Sequence, residues 1–113
     1  MNTSYKDYIL EVPDFPKPGV SFKDISPLLS NEDVFRAAVV SMGTVVQAGV
    51  RPDQMVLSKK DEWIPRPDYW VGVDARGFIF ASALAVYFGG GVVMCRKKGK
   101  LPPPTIDNEY DTE

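Results

Sequence analysis

Residues 74–77, Asp-Ala-Arg-Gly, stand between an apolar and aromatic stretch, Tyr69 to Val73, and a second run that reads as a helix. In an open parallel sheet, ligands bind beyond the carboxyl ends of the strands. The helix that follows directs its free N–H groups and the positive end of its dipole to the same place. Gly77 permits close backbone approach, and Arg76 offers a planar fork of donors suited to phosphate oxygens. Asp74, Ala75, Arg76 and Gly77 therefore read as an anion site for phosphate or pyrophosphate. A helix N-terminus carrying an Asp74–Arg76 surface pair accounts for the same four residues equally well. The stretch is not a dinucleotide fingerprint, because G-x-G-x-x-G is absent.

A second cluster, "RKKGK" from Arg96 to Lys100, follows the next predicted strand. A charge run of this kind is usually a solvated loop. Here two clusters fall at neighbouring strand ends, and that adjacency favours the anion reading. A third stretch, "GVSFKDISP", sets Phe22 in a proline-held segment. Phe22 could stack on a flat ligand, although an aromatic in such a place is more often core. The chain has no histidine, which removes histidine general bases and histidine metal ligands.

The elements that must position these residues follow from periodicity. Tyr5, Tyr8, Ile9 and Val12 fall on one face of a short helix, with Thr3 or Ser4 as its cap and Pro13 and Pro16 as its end. Residues 13–27 read as ordered and extended, since apolar residues are interleaved with the prolines. Ser30-Asn31-Glu32-Asp33 resembles a capping box. It predicts a helix from about Asn31 to Ala48 that buries Val34, Phe35, Ala38, Met42 and Val45 and stops at Gly49. Residues 50–68 read as a loop with one short strand at Gln54 to Leu57. A buried strand from Tyr69 to Val73, a turn at 74–76, a helix from Gly77 to about Phe88 and a strand from Gly91 to Arg96 make a parallel crossover. The end of the chain, polar and rich in proline, reads as a long loop.

Composition bounds the rest. The 113 residues suffice for one small domain, able to bury roughly two-thirds of its unfolded surface. Apolar residues are 44% and charged residues 25%, ordinary for a globular protein. A net charge of −2 gives no global basic field for nucleic acid. No apolar run approaches the length of a membrane span. The opening residues "MNTSYKDYILEV" lack a basic region followed by an apolar core, so they do not read as a secretory leader. Cys95, the single cysteine, sits in "VVMC" and reads as a buried strand residue. Together these features favour the cytosol.

Three blocks, "VPDFPKPGVSFKDISPLL", "VGVDARGFIF" and "RKKGKLPPPT", resemble adenine phosphoribosyltransferases in order and spacing across nearly the whole chain. The resemblance implies the front part of a type I phosphoribosyltransferase fold: α/β, a parallel sheet with flanking helices, an N-terminal hood segment, and no C-terminal strands. It divides the chain into residues 1–30, an N-terminal helix and adenine-recognition hood, and residues 31–113, a partial core ending in the flexible catalytic loop. It implies transfer of 5-phosphoribose from phosphoribosyl pyrophosphate to adenine, giving AMP and pyrophosphate, with Mg²⁺ bound alongside phosphoribosyl pyrophosphate. A cytoplasmic homodimer with no nucleic-acid or membrane partner is implied as well. Asp74-Ala75-Arg76-Gly77 matches the family's pyrophosphate loop, in which the peptide before the small residue is cis and turns an N–H toward the ligand. Phe22 matches the aromatic that stacks on adenine, and Ser21 and Lys23 match positions whose backbone reads the purine edge. Arg96, Lys97 and Lys100 match the basic loop near pyrophosphate, with Arg96 reaching across a dimer interface. Glu113 falls on a glutamate that assists proton transfer at the base, and Arg76 joins it as a catalytic candidate. Such chemistry needs cations and oriented N–H groups around a polyanionic leaving group rather than a nucleophile.

The chain departs from the family pattern in several places. The acidic pair and Thr/Gly-rich loop that hold phosphoribosyl pyrophosphate are absent, and "KKDE" at 59–62 has neither the strand nor the glycines. Lys23 stands where arginine is common, residues 51–68 are longer than usual, and "PPP" at 102–104 replaces a sequence that usually has a glycine. The alternative to an enzyme part is therefore a non-catalytic purine- or phosphate-binding module, or a fragment that needs a partner chain. A phosphoribosyltransferase for another purine, or a purine-sensing regulator, is a third reading.

Overall fold

Residues 69–95 form the crossover that the sequence predicts. β5 (Tyr69–Val73) leads into α3 (Arg76–Phe88), which returns the chain to β6 (Gly91–Cys95). β5 and β6 pair in parallel, with Tyr69 opposite Gly91 and Val73 opposite Cys95. A computed structural model of the chain describes residues 4–49, 55–57, 63–65 and 67–107, with only the backbone given at 55–57 and 63–65. It divides the chain into two compact units, one reaching Ala38 and the other starting at Val39.

In the first unit a short 3-10 turn, Tyr5–Tyr8, precedes β1 (Leu10–Val12). The expected helix therefore ends early, and Ser4 makes no side-chain cap. Leu10, Glu11 and Val12 instead pair antiparallel with Asp24, Lys23 and Phe22 of β2 (Phe22–Asp24). Ladder pairing with β2 outweighs the helical periodicity of three residues. The segment read as wholly extended also contains α1 (Ser26–Ser30), with Pro27 in its first turn and Leu28 buried. Proline is compatible there because the first N–H groups of a helix have no partner in any case. The Asp24 carboxylate accepts the Ser26 N–H at 2.9 Å.

α2 (Glu32–Ala48) runs as expected, but its cap is Asn31, whose Oδ1 accepts the Val34 N–H at 3.1 Å. The Ser30 hydroxyl turns back to the Pro27 carbonyl. Val34 and Ala38 are buried, and Phe35 is half-buried. Met42 and Val45 are not buried; Val45 is 73% exposed. The second half of the helix turns Val39 and Gly43 inward instead. A side chain at Gly43 would collide with the Phe88 ring, so glycine lets that ring lie against the helix backbone.

Two further differences concern strands. Residues 55–57 form β3, and it pairs antiparallel with an unexpected β4 (Trp63–Pro65). In the parallel pair, β5 buries alternate residues only: Trp70 and Gly72 lie under α3, while Tyr69, Val71 and Val73 are exposed. All of β6 is exposed, Cys95 included. A continuous apolar run reads as buried on both faces, but among the described residues α3 covers one face of β5 alone. The core of this unit is Val39, Trp70, Ala81, Leu84 and Ala85. The Trp70 indole donates to the Gly89 carbonyl at 2.8 Å. Gly89 and Gly90, at φ 93° and 109°, end α3 in a backbone region that other residues rarely enter.

Candidate functional site

The site rests on how closely α3 approaches β5. A Cβ on Gly72 would lie 2.6 Å from the Gly77 carbonyl oxygen, and one on Gly77 would lie 3.3 Å from the Gly72 backbone. Two glycines facing each other bring the first turn of the helix onto the strand. The space that the missing Gly77 side chain leaves faces Gly72, so this glycine serves helix–strand contact. The loop between the elements is then short. Asp74 donates its N–H to the Cys95 carbonyl at 3.0 Å, extending the β5–β6 ladder by one residue. The Asp74–Ala75 peptide is cis, as the resemblance implies. Ala75 caps α3 with no side-chain hydrogen bond, and no acid lies in the first turn. The positive end of the α3 dipole therefore faces the loop with no acidic side chain in the helix's first turn.

Val73, Asp74, Ala75, Arg76, Gly77 and Lys97 line one open cavity of about 550 Å³. Residues from both predicted clusters, 74–77 and 96–100, therefore meet at one place. Asp74 joins them. Its Oδ2 accepts the Lys97 N–H at 3.3 Å and the Arg96 Nε–H at 3.4 Å, and only 11% of its side chain is exposed. The Lys97 N–H, and after it the Arg96 guanidinium, hold its carboxyl below the usual carboxylate range, although partial burial opposes them. Asp74 is thus not a spare acid but the tie that fixes the basic loop against the end of β5.

Arg96 also reaches α3. Its guanidinium carbon lies 5.8 Å from the centre of the Phe78 ring, on the first turns of α3. No sequence signal marks Phe78 for this contact, which depends on the helix and the basic loop meeting. Lys100 lies outside the cavity lining; its N–H closes a turn onto the Lys97 carbonyl at 3.1 Å. Arg76 begins α3, exposed, on the cavity wall.

Ser21, Phe22 and Lys23 lie in the other compact unit. The Phe22 ring meets Phe15 edge-on at 5.2 Å. The Ser21 hydroxyl donates to Glu11 Oε1 at 2.7 Å, and the Lys23 ammonium lies 2.7 Å from the same oxygen. Lys23, and then Ser21, lower the Glu11 pKa. Glu11 is a residue that the helical reading of 5–12 overlooks. Its signal is an acid directly opposite a lysine, visible only once residues 10–12 are recognised as a strand. Glu113 lies outside the described residues. Among the described residues no three Asp, Glu, Cys or His side chains gather where they could hold a metal ion, and no helix is long and apolar enough to cross a membrane.

No protein-family model matches the chain. Curated relatives do. An adenine phosphoribosyltransferase of Rhodospirillum rubrum is 44% identical over 109 residues, covering 96% of this chain and 54% of that protein. Among solved structures, adenine phosphoribosyltransferase from Thermoanaerobacter pseudethanolicus superposes with a TM-score of 0.73 at 35% identity, over 96% of this chain and 55% of that one. The enzyme from Saccharomyces cerevisiae, complexed with an imino-altritol bisphosphate and adenine, superposes with a TM-score of 0.69 at 29% identity, over 88% of this chain and 52% of that one. The chain spans about half the length of the relatives it matches. Over that span it is similar to adenine phosphoribosyltransferases in sequence, and its α/β architecture is that of the type I phosphoribosyltransferases.

Proposed function

We propose that this chain supplies the base-recognition segment and the pyrophosphate loop of an adenine phosphoribosyltransferase, which joins adenine to the 5-phosphoribose of phosphoribosyl pyrophosphate and releases AMP and pyrophosphate. The observation that carries the reading is the meeting of Asp74–Gly77 with Lys97 around one cavity. N–H groups at the start of α3, the Arg76 guanidinium and the Lys97 ammonium suit a leaving group that gains negative charge as the C–O bond to the sugar breaks. Asp74 holds the basic loop there without adding an unpaired negative charge, because Arg96 and the Lys97 N–H balance it. Phe22 supplies a ring for stacking on the purine, and the backbone of Ser21 and Lys23 reads its edge. Glu113 would assist proton transfer at the base.

The described residues do not form a metal site of their own. In this reading Mg²⁺ would be bound with phosphoribosyl pyrophosphate and would supply charge neutralisation at the diphosphate. A cytoplasmic homodimer completes the proposal, on the strength of the family resemblance.

Binding measurements on the 113-residue chain test the reading. Calorimetric titration should find saturable binding of pyrophosphate and of adenine, and failure of both to bind would refute it. The chain lacks the acidic pair and Thr/Gly-rich loop of the family, so it should make no AMP by itself. AMP formation near 1 per second or faster, an ordinary enzyme rate, would show that those parts are dispensable.

A further inference from the structure

β1 and β2 pair over only three residues. The pairing stops where Pro13 would come opposite Ser21, since proline has no N–H to give the ladder. A two-stranded ribbon this short is marginal by itself, so cross-strand side chains decide how firmly β2 is held. Glu11 is directly opposite Lys23. Its Oε1 takes both the Ser21 hydroxyl and the Lys23 ammonium, each at 2.7 Å. These two residues flank Phe22, and in extended chain alternate side chains point to opposite faces. One carboxylate oxygen thus gathers the side chains on one side of the segment whose other side carries the Phe22 ring.

We infer that Glu11 is a positioning residue for base recognition: by holding the side chains of Ser21 and Lys23 to itself, it leaves their main-chain groups to face the purine and fixes the angle at which Phe22 is presented. The inference rests on the adenine reading given above. It also accounts for lysine at position 23. The ammonium is engaged by Glu11, so this residue contributes to the base through its backbone. The pair is about half exposed on both sides, and an exposed ion pair contributes little to global stability. The effect belongs in adenine affinity.

The experiment is calorimetric titration of the whole chain with adenine and, separately, with pyrophosphate. Glu11→Gln removes the charge and keeps the shape. It should weaken adenine binding about 3- to 10-fold, the effect of losing one or two charge-assisted contacts, and leave pyrophosphate affinity within twofold. Glu11→Asp, which keeps the charge, should recover most of the loss. An adenine affinity unchanged by Glu11→Gln would overturn the positioning role while leaving the adenine reading intact. Equal weakening for both ligands would show a general structural role and overturn it too. Absence of adenine binding by the unaltered chain would remove the reading itself and the inference with it.

Discussion

Replacing Gly72 with alanine tests the physical basis of the loop. The new Cβ would lie 2.6 Å from the Gly77 carbonyl oxygen, 2.8 Å from its carbonyl carbon and 3.0 Å from the Ala81 Cβ. The two nearest atoms are backbone, so no side chain can swing aside. Relief requires the first turn of α3 to move off β5 by several tenths of an ångström. Overpacking of this kind costs about 1–3 kcal/mol. The entropy that alanine removes from the unfolded chain offsets about 0.4–1 kcal/mol of that, leaving a net loss of up to about 2.6 kcal/mol, with a midpoint of about 1.3 kcal/mol. The same movement carries Arg76 and the N-terminal N–H groups away from the cavity, so pyrophosphate affinity should fall in parallel. Urea unfolding at constant m-value measures the first effect, and calorimetric titration measures the second. Val71→Ala on the same strand is the control. That side chain points away from α3 and is 65% exposed, so its removal should change stability by about 0.5 kcal/mol or less. If Gly72→Ala is as stable as the parent and binds pyrophosphate equally well, the glycine pair does not set the loop.

Arg76→Ala should weaken pyrophosphate binding about tenfold or more, given about 1.5–3 kcal/mol for a hydrogen bond to a charged group; a loss under threefold removes Arg76 from the clamp. Adenine should displace hypoxanthine in competition by at least about a hundredfold, because a reversed donor and acceptor order leaves buried polar groups unpaired, and equal affinity would reject adenine as the base. Asp74 has a lowered pKa in the folded chain, so it contributes stability that is present above its ordinary value of 3.8 and lost as pH falls through the folded value. Unfolding free energy should therefore hold to about pH 5 and decline below about pH 4, and Asp74→Asn should flatten part of that decline; an identical acid profile in the variant would exclude the tie between Asp74 and the basic loop.

What the sequence reveals here is what depends on near neighbours. The run Tyr69–Val73, the turn at residue 74, the helix to Phe88 and the glycines after it are local signals, and the structure places all of them within a residue or two. The meeting of residues 74–77 with Lys97 was legible for the same reason. A parallel crossover sets the ends of β5 and β6 side by side whatever surrounds them. Burial was less legible, because it depends on what lies across each face. Met42, Val45 and Cys95 have apolar sequence surroundings, yet they stand exposed among the described residues, since α3 covers one face of β5 and the second half of α2 turns Gly43 toward Phe88. β4 lay in a charged stretch with three prolines, where no two-residue alternation marks a strand.

Glu11 shows why the remainder of the site was hidden. Its partners are ten and twelve residues away, and nothing in "YILEV" tells a helical end from a strand of three residues. Pro13 ends the segment in either case. It cannot continue a helix, and it cannot donate to a ladder, so β1 stops before it. In the observed register Glu11 stands opposite Lys23. Residues 74–77 could be read as a candidate anion site because they are consecutive in the chain and open a helix. The contacts of Ser21 and Lys23 could not, because the carboxylate that joins them is supplied by a neighbouring strand.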